Sequence, residues 1–149
     1  MAAKRYTVDT NILFYAIDSR DAKKHARALD LIHRGNSDCF RVILQTLGEL
    51  CNSISKRQPA LGQQAEQMVG LLQQIYPIVS AEFEDLTKAL SLRKQHKFQF
   101  WDAMLTATAQ RAGCATLLSE DMQDSQHLNG ITIRNPFKMA DEEFQSYLA

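Results

Sequence analysis

Asp9, Asp102 and Asp121 are the side chains of this sequence whose type and setting suit catalysis. Asp9 closes the β-prone run 6–8, Asp121 follows a similar run at 116–118, and Asp102 stands near the start of an alanine-rich helical stretch. In an open parallel sheet, ligands bind beyond the carboxyl ends of the strands, and helices entered from those ends begin on the same rim. The three acids, far apart in the chain, are therefore expected along one edge. Carboxylates held within a few ångströms repel one another, and a divalent cation relieves the repulsion. Hard oxygen donors suit Mg²⁺ or Mn²⁺, and His25, His33, His96 and His127 show no zinc spacing relative to these acids. Asp is also a favoured helix N-cap, and each of the three precedes a possible helix, so each taken singly reads as a cap. Three such acids on the ligand-binding rim tilt the reading toward a metal site.

The elements that must position them follow from hydrophobic spacing. A strand at 6–8 runs into the turn- and cap-forming Asp9-Thr10-Asn11. Ala22, Ala26, Leu29 and Ile32 recur at helical spacing, His33 and Arg34 end that helix, and Gly35 is expected to be its left-handed stop. A second strand is expected at 40–44, followed by a helix capped by Thr46 and running to Arg57 before Pro59. A further helix, 62–74, carries Ala65, Met68, Val69 and Leu72, with Leu61 just before it. After a third strand at 76–79, Ser80 with Glu82 and Glu84 predicts a helix bearing Phe83, Leu86 and Leu90 and reaching toward His96. The alanine-rich helix opens at Trp101 and Asp102 and closes at Gly113; strands at 116–118 and 131–133 complete the pattern. Strands alternating with helices imply right-handed crossovers. The predicted fold is a three-layer α/β sandwich, with a central mostly parallel sheet of four to five strands flanked by helices, spanning 1–149 as one domain.

Composition sets the outer bounds. At 149 residues the chain is long enough for one hydrophobic core and short for two. Apolar residues at 45% and charged residues at 23% match globular domains and exclude disordered and low-complexity classes. The 17 basic and 17 acidic side chains cancel, so an anionic partner must be held by local groups rather than by a global field. Cys39, Cys51 and Cys114 form neither an even disulfide set nor a zinc ribbon and read as thiols of a reducing cytosol. The apolar stretch 12–17 lies between Asp9 and Asp18 without a cleavage site, and no run approaches the ~18 apolar residues of a membrane span. A cytoplasmic protein without membrane partners is expected.

Glu49 is a different case. Leu47, Leu50, Cys51 and Ile54 make an apolar stripe, and Glu49 falls on the opposite face with Asn52, Ser53 and Lys56, where periodicity alone makes it solvent-exposed. Lys56 with Arg57, and Arg93, Lys94 and Lys97, are local clusters that could meet a phosphate backbone, though such charges ordinarily solvate a helix face. Phe98, Phe100 and Trp101 could stack on bases, but burial in the core is the expected role.

Four segments resemble the successive motifs of PIN domains, in the same order: Tyr6-Thr7-Val8-Asp9-Thr10-Asn11-Ile12-Leu13, Leu47-Gly48-Glu49-Leu50, Phe100-Trp101-Asp102-Ala103-Met104-Leu105 and Leu117-Leu118-Ser119-Glu120-Asp121. The closing Asn135-Pro136-Phe137 is similar to single-domain bacterial members of the VapC toxin type. The resemblance implies a Mg²⁺- or Mn²⁺-dependent ribonuclease. Asp9, Glu49, Asp102 and Asp121 match its acidic quartet, and Thr10, Asn11 and Ser119 match the polar positions beside it. Asp124 is a further candidate in a variable loop. A small antitoxin as partner, RNA as substrate and a homodimer are likewise implied.

Competing α/β folds fit less well. A phosphoacceptor receiver pairs two acids after its first strand, and a dehalogenase-like phosphatase places Asp-x-Asp there, whereas this chain has Asp9-Thr10-Asn11. A non-catalytic RNA- or protein-binding module on the same scaffold is the alternative from another class.

Overall fold

The structure, a computed structural model, describes residues 4–149. Strand β1 (Arg5–Val8) leads into α1 (Thr10–Ile17) and α2 (Ala22–Arg34); β2 (Val42–Ile43) is followed by α3 (Leu44–Arg57), a 3₁₀ turn (Pro59–Leu61) and α4 (Gly62–Ile75). Then come β3 (Ile78–Val79), α5 (Phe83–Gln95), α6 (Phe100–Arg111), β4 (Cys114–Leu118), β5 (His127–Leu128), β6 (Ile131–Arg134) and α7 (Asp141–Gln145). The order β1-β4-β6-β5 forms a sheet in which β1, β4 and β6 run parallel and β5 is antiparallel. Parallel β2 and β3 continue it through a bridge between Tyr6 and Phe40, where Tyr6 N–H donates to Cys39 O and Arg41 N–H to Tyr6 O. The mostly parallel α/β sandwich expected from the alternation is the fold observed.

Strand β1 explains why the sheet is covered on both faces. Tyr6, Thr7 and Val8 are all buried, as a central parallel strand requires. Tyr6 and Val8 join Ile12, Leu13, Leu31, Leu50 and Leu72 in a core on the α1–α4 side. On the other side Leu117, Ile131 and Ile133 pack with Leu105 and Ala109 of α6, and α5 backs α6 through Ala89, Leu92, Ala103 and Ala107. The alanines let the α5 and α6 backbones approach closely. Asp85, 1% exposed, locks the pair: it accepts from Arg111 Nε at 3.0 Å and from Thr108 Oγ1 at 3.3 Å, and caps its own helix through the Glu82 N–H.

Several local expectations are corrected. Gly35 is not left-handed (φ −61°). It is required because a Cβ there would lie 2.5 Å from Leu31 O and 2.9 Å from both the Phe40 ring and the Tyr6 hydroxyl. Thr46 does not cap α3; it is buried inside the helix, donating to Ile43 O at 2.7 Å. Glu82, not Ser80, caps α5, with Asp85 as its reciprocal partner. The core-facing side of α5 is Asp85, Ala89 and Leu92, while Phe83 and Leu90 stand exposed. Trp101, expected in the core, is 60% exposed, and Cys51 also faces solvent. Cys39 and Cys114 are buried free thiols, and burial pushes Cys114 up to about 12, which makes it a poor nucleophile. The β5–β6 hairpin and α7 were not anticipated. Among the described residues no helix is long and apolar enough to cross a membrane.

Candidate active site on the carboxyl edge of the sheet

The site starts where β1 ends. Asp9 continues the β1–β4 ladder, its N–H donating to Leu118 O at 2.8 Å, and then caps α1. Its Oδ1 accepts from the Thr10 N–H at 2.7 Å and its Oδ2 from the Ser119 hydroxyl at 2.8 Å. Ser119 follows β4 directly and is fully buried, so the ends of two adjacent strands hold one carboxylate in a fixed rotamer. Asp9 is 7% exposed. Burial is the main reason its carboxyl is pushed up to about 6; its two hydrogen bonds oppose the shift, and the neighbouring Asp102 and Glu49 reinforce it.

Asp102 occupies the third position of α6 rather than its cap, which is Gln99. It is half-buried, and burial first, then Glu49 and Asp121, raise its carboxyl above the usual range. Asp121 lies exposed in the loop after β4; no helix follows it, so the capping explanation fails there. Glu49 is exposed on α3, as its periodicity indicated. Its Oε1 accepts from Gln45 Nε2 at 2.6 Å, and its Oε2 lies 3.5 Å from the Thr10 hydroxyl. Glu49 reaches Thr10 beside Asp9, Asp102 and Asp121 line one cleft, and the neighbouring acids raise Asp9 and Asp102.

Other polar residues brace this rim. Asn11 Oδ1 accepts the Glu120 N–H at 3.3 Å, tying α1 to the loop that carries Asp121. Gln45, which sequence reasoning passed over, donates both to Glu49 and to Trp101 O at 2.9 Å, joining α3 to the first turn of α6. Its four-residue spacing from Glu49 was the available signal. Asp124 points into a different set of contacts: Arg134 Nη1 and the Asn135 N–H both donate to its Oδ1 at 2.9 Å. Among the described residues, no three of the His, Cys, Asp and Glu side chains close into a ready-made metal cage. The acids meet instead as mutually repelling carboxylates, an all-oxygen donor set of the kind that suits a hard divalent ion.

Residues 6–124 match the profile of the PIN domain. The chain belongs to the PIN-domain family. A comparison with curated proteins finds no match. Among solved structures, the PIN fold of this chain superposes on the sarcin–ricin-loop-cleaving toxin VapC20 of Mycobacterium tuberculosis with a TM-score of 0.65 at 18% identity, covering 78% of this chain and 89% of that one. A toxin–antitoxin complex from Klebsiella pneumoniae gives 0.62 at 20% identity over 85% of this chain and 95% of that one. Promoter-bound VapBC2 of Rickettsia felis gives 0.63 at 16% identity over 87% and 97%. At these identities the likeness is one of fold, and these neighbours of the PIN domain are toxin–antitoxin proteins.

Proposed function

We propose that this PIN-domain protein is a divalent-metal-dependent endoribonuclease and the toxin of a VapBC-type toxin–antitoxin pair. The observation that carries the reading is the pairing of Asp9 with Asp102: two half-buried or buried carboxylates from distant segments, each raised partly by acidic neighbours at the open rim. Groups that repel in this way form a site that gains by binding a cation. Asp9 and Asp102 are its principal ligands, with Glu49 and Asp121 completing the coordination directly or through water. Mg²⁺ or Mn²⁺, when bound, supplies an activated water and offsets charge on the phosphoryl oxygens.

The chain's own part is positional. Ser119 and the Thr10 N–H keep both Asp9 oxygens aimed, and Gln45 holds Glu49 near the first turn of α6. These contacts keep the ligands in place without requiring any carboxylate to act as nucleophile. Lys56, Arg57 and Lys97 are exposed and available to a phosphate backbone.

The named structural neighbours support an antitoxin as protein partner. Dimerisation belongs to the same reading, and Phe83, 81% exposed, with Leu90 two turns along the outer face of α5, offers apolar surface for it. One observation favours the alternative of a non-catalytic RNA- or protein-binding module, namely the lack of a preformed three-ligand cage among the described residues. The deciding experiment is cleavage of end-labelled RNA by purified protein with and without Mg²⁺, beside a calorimetric Mn²⁺ titration. Metal-dependent cleavage establishes the nuclease; metal or RNA binding without turnover establishes the module.

A further inference from the structure

Beside Asp102 and Asp121 a cleft of about 250 Å³ opens between two loops. The α5–α6 connection contributes Lys97, Phe98 and Gln99; the loop after β4 contributes Gln123 and Gln126. Its volume lies below the roughly 300–1,000 Å³ of sites for drug-sized ligands, so it suits one planar ring with its attached backbone. Its chemistry is also mixed in a particular way. Carboxylates stand at one wall, a lysine ammonium lies elsewhere in the lining, and three carboxamides and an aromatic ring share the rest.

A carboxamide offers donors and an acceptor together, the combination that pairs with the edge of a nucleobase. Proteins read RNA chiefly at unpaired bases, by hydrogen bonds to their edges and stacking on aromatic rings. We propose that this cleft is a nucleotide subsite, taking one unpaired base beside the scissile phosphate and selecting it through Gln99, Gln123 and Gln126. Lys97 meets the adjoining phosphate, and Phe98 supplies the aromatic surface. The subsite deepens the ribonuclease reading and rests on it.

The loop that carries two of the three glutamines is held in one shape. Asp124 accepts from Arg134 and from the Asn135 N–H, both at 2.9 Å. Ser125 sits in the left-handed region at φ 66°, fixed by its N–H donating to Ile133 O at 2.7 Å and by Arg134 donating to its hydroxyl at 2.7 Å. A non-glycine residue stays there only when its surroundings enforce it, and such positions cluster at ligand clamps. Asp124 is then a positioning residue for Gln123 and Gln126.

The test is cleavage of a sequence-randomised single-stranded RNA pool in Mg²⁺, with the cut ends sequenced, by the wild type, Gln99→Ala, Gln123→Ala, Gln126→Ala and the triple variant. At least one single variant and the triple variant should relax the preference at one nucleotide position next to the cut, lowering the ratio of best to worst base by about 10-fold or more. Thermal unfolding monitors the fold, and Gln123→Glu and Gln126→Glu, which keep the side-chain size, replace any alanine variant that fails to fold. Identical preference profiles throughout overturn the subsite. So does an unchanged profile with weakened antitoxin binding, which would give the cleft to a protein partner. If the wild type cuts nothing in the pool, it is the ribonuclease reading that fails. Equilibrium selection of the same pool on the protein then decides the subsite: enrichment of a base that the triple variant loses supports it, and equal enrichment overturns it.

Discussion

The Ser119 hydroxyl donates to Oδ2 of Asp9 at 2.8 Å across 110 positions of sequence, and its oxygen also accepts the Met122 N–H at 3.3 Å. One buried hydroxyl thus fixes a proposed metal ligand and the start of the loop that bears Asp121.

Ser119→Ala removes both contacts. The hydrogen bond from Ser119 is the largest influence lowering the Asp9 carboxyl, so its loss drives that carboxyl further up and loosens its rotamer. We expect Mn²⁺ affinity, read by calorimetry at pH 7.5, to fall by about 10- to 100-fold, the usual cost of losing a group that orients a ligand. An unchanged titration would show that Ser119 has no part in the site.

Asp102→Asn keeps the shape of the side chain and removes its charge. Expected is a loss of Mg²⁺-dependent RNA cleavage of at least ~100-fold, with the circular dichroism spectrum and unfolding midpoint preserved. Because Asp102 lies in the third position of α6 and caps nothing through its side chain, a structural explanation for lost cleavage is weak. Wild-type cleavage by the purified variant, with contaminating nuclease excluded, would falsify its assignment.

Asp9 makes stability depend on pH in a definite direction. Its carboxyl titrates at about 6 in the folded chain against an ordinary value of 3.8, so the folded state binds the proton more tightly than the unfolded state. Its contribution is therefore most favourable below pH ~4, declines between about 4 and 6, and is least favourable above about 6. At about 1.4 kcal/mol for each tenfold change in proton affinity, Asp9→Asn should stabilise the metal-free protein by roughly 3 kcal/mol at pH ~7.5 and by nearly nothing at pH ~4. Urea unfolding in chelator across that range measures it. Equal stabilities of the two proteins at the upper pH would refute the burial argument.

Asp85→Ala leaves the Arg111 guanidinium without its main partner and the Glu82 N–H uncapped. Breaking a buried ion pair typically costs ~3–5 kcal/mol, and since Arg111 keeps about a quarter of its side chain exposed, the lower end applies. A drop of about 3 kcal/mol in unfolding free energy is expected by denaturant titration. A loss under about 1 kcal/mol would mean that α5 and α6 are held by their apolar contacts alone.

Gly35→Ala should destabilise by about 1–3 kcal/mol, the range for forcing extra volume into a packed core. The added methyl meets a backbone carbonyl, which cannot swing aside, as well as the Tyr6 hydroxyl and the Phe40 ring. Thermal unfolding of the variant at or above the wild-type midpoint would show that the backbone yields.

Periodicity and spacing by themselves determined the alternation of strands and helices from β1 to β4, the mostly parallel sheet and the expectation that Asp9, Asp102 and Asp121 share its carboxyl edge, because those depend on local patterns and on the handedness of crossovers. They also made Glu49 exposed, and the structure agrees. Asn129-Gly130, with both residues at positive φ, is the turn of the β5–β6 hairpin, and an Asn-Gly pair is a sequence signature of such a turn. Only the tertiary structure could decide the rest. Whether Phe83 or Ala89 faces inward depends on which side of α5 meets α6, and an apolar pattern does not record its partner. Gly35 is needed for a close approach of side chains from distant segments, which no local rule anticipates. The bonds from Ser119 to Asp9 and from Gln45 to Trp101, like the cleft between two loops, exist because the chain returns to the same rim, and a returning chain leaves no mark in the spacing of neighbouring residues.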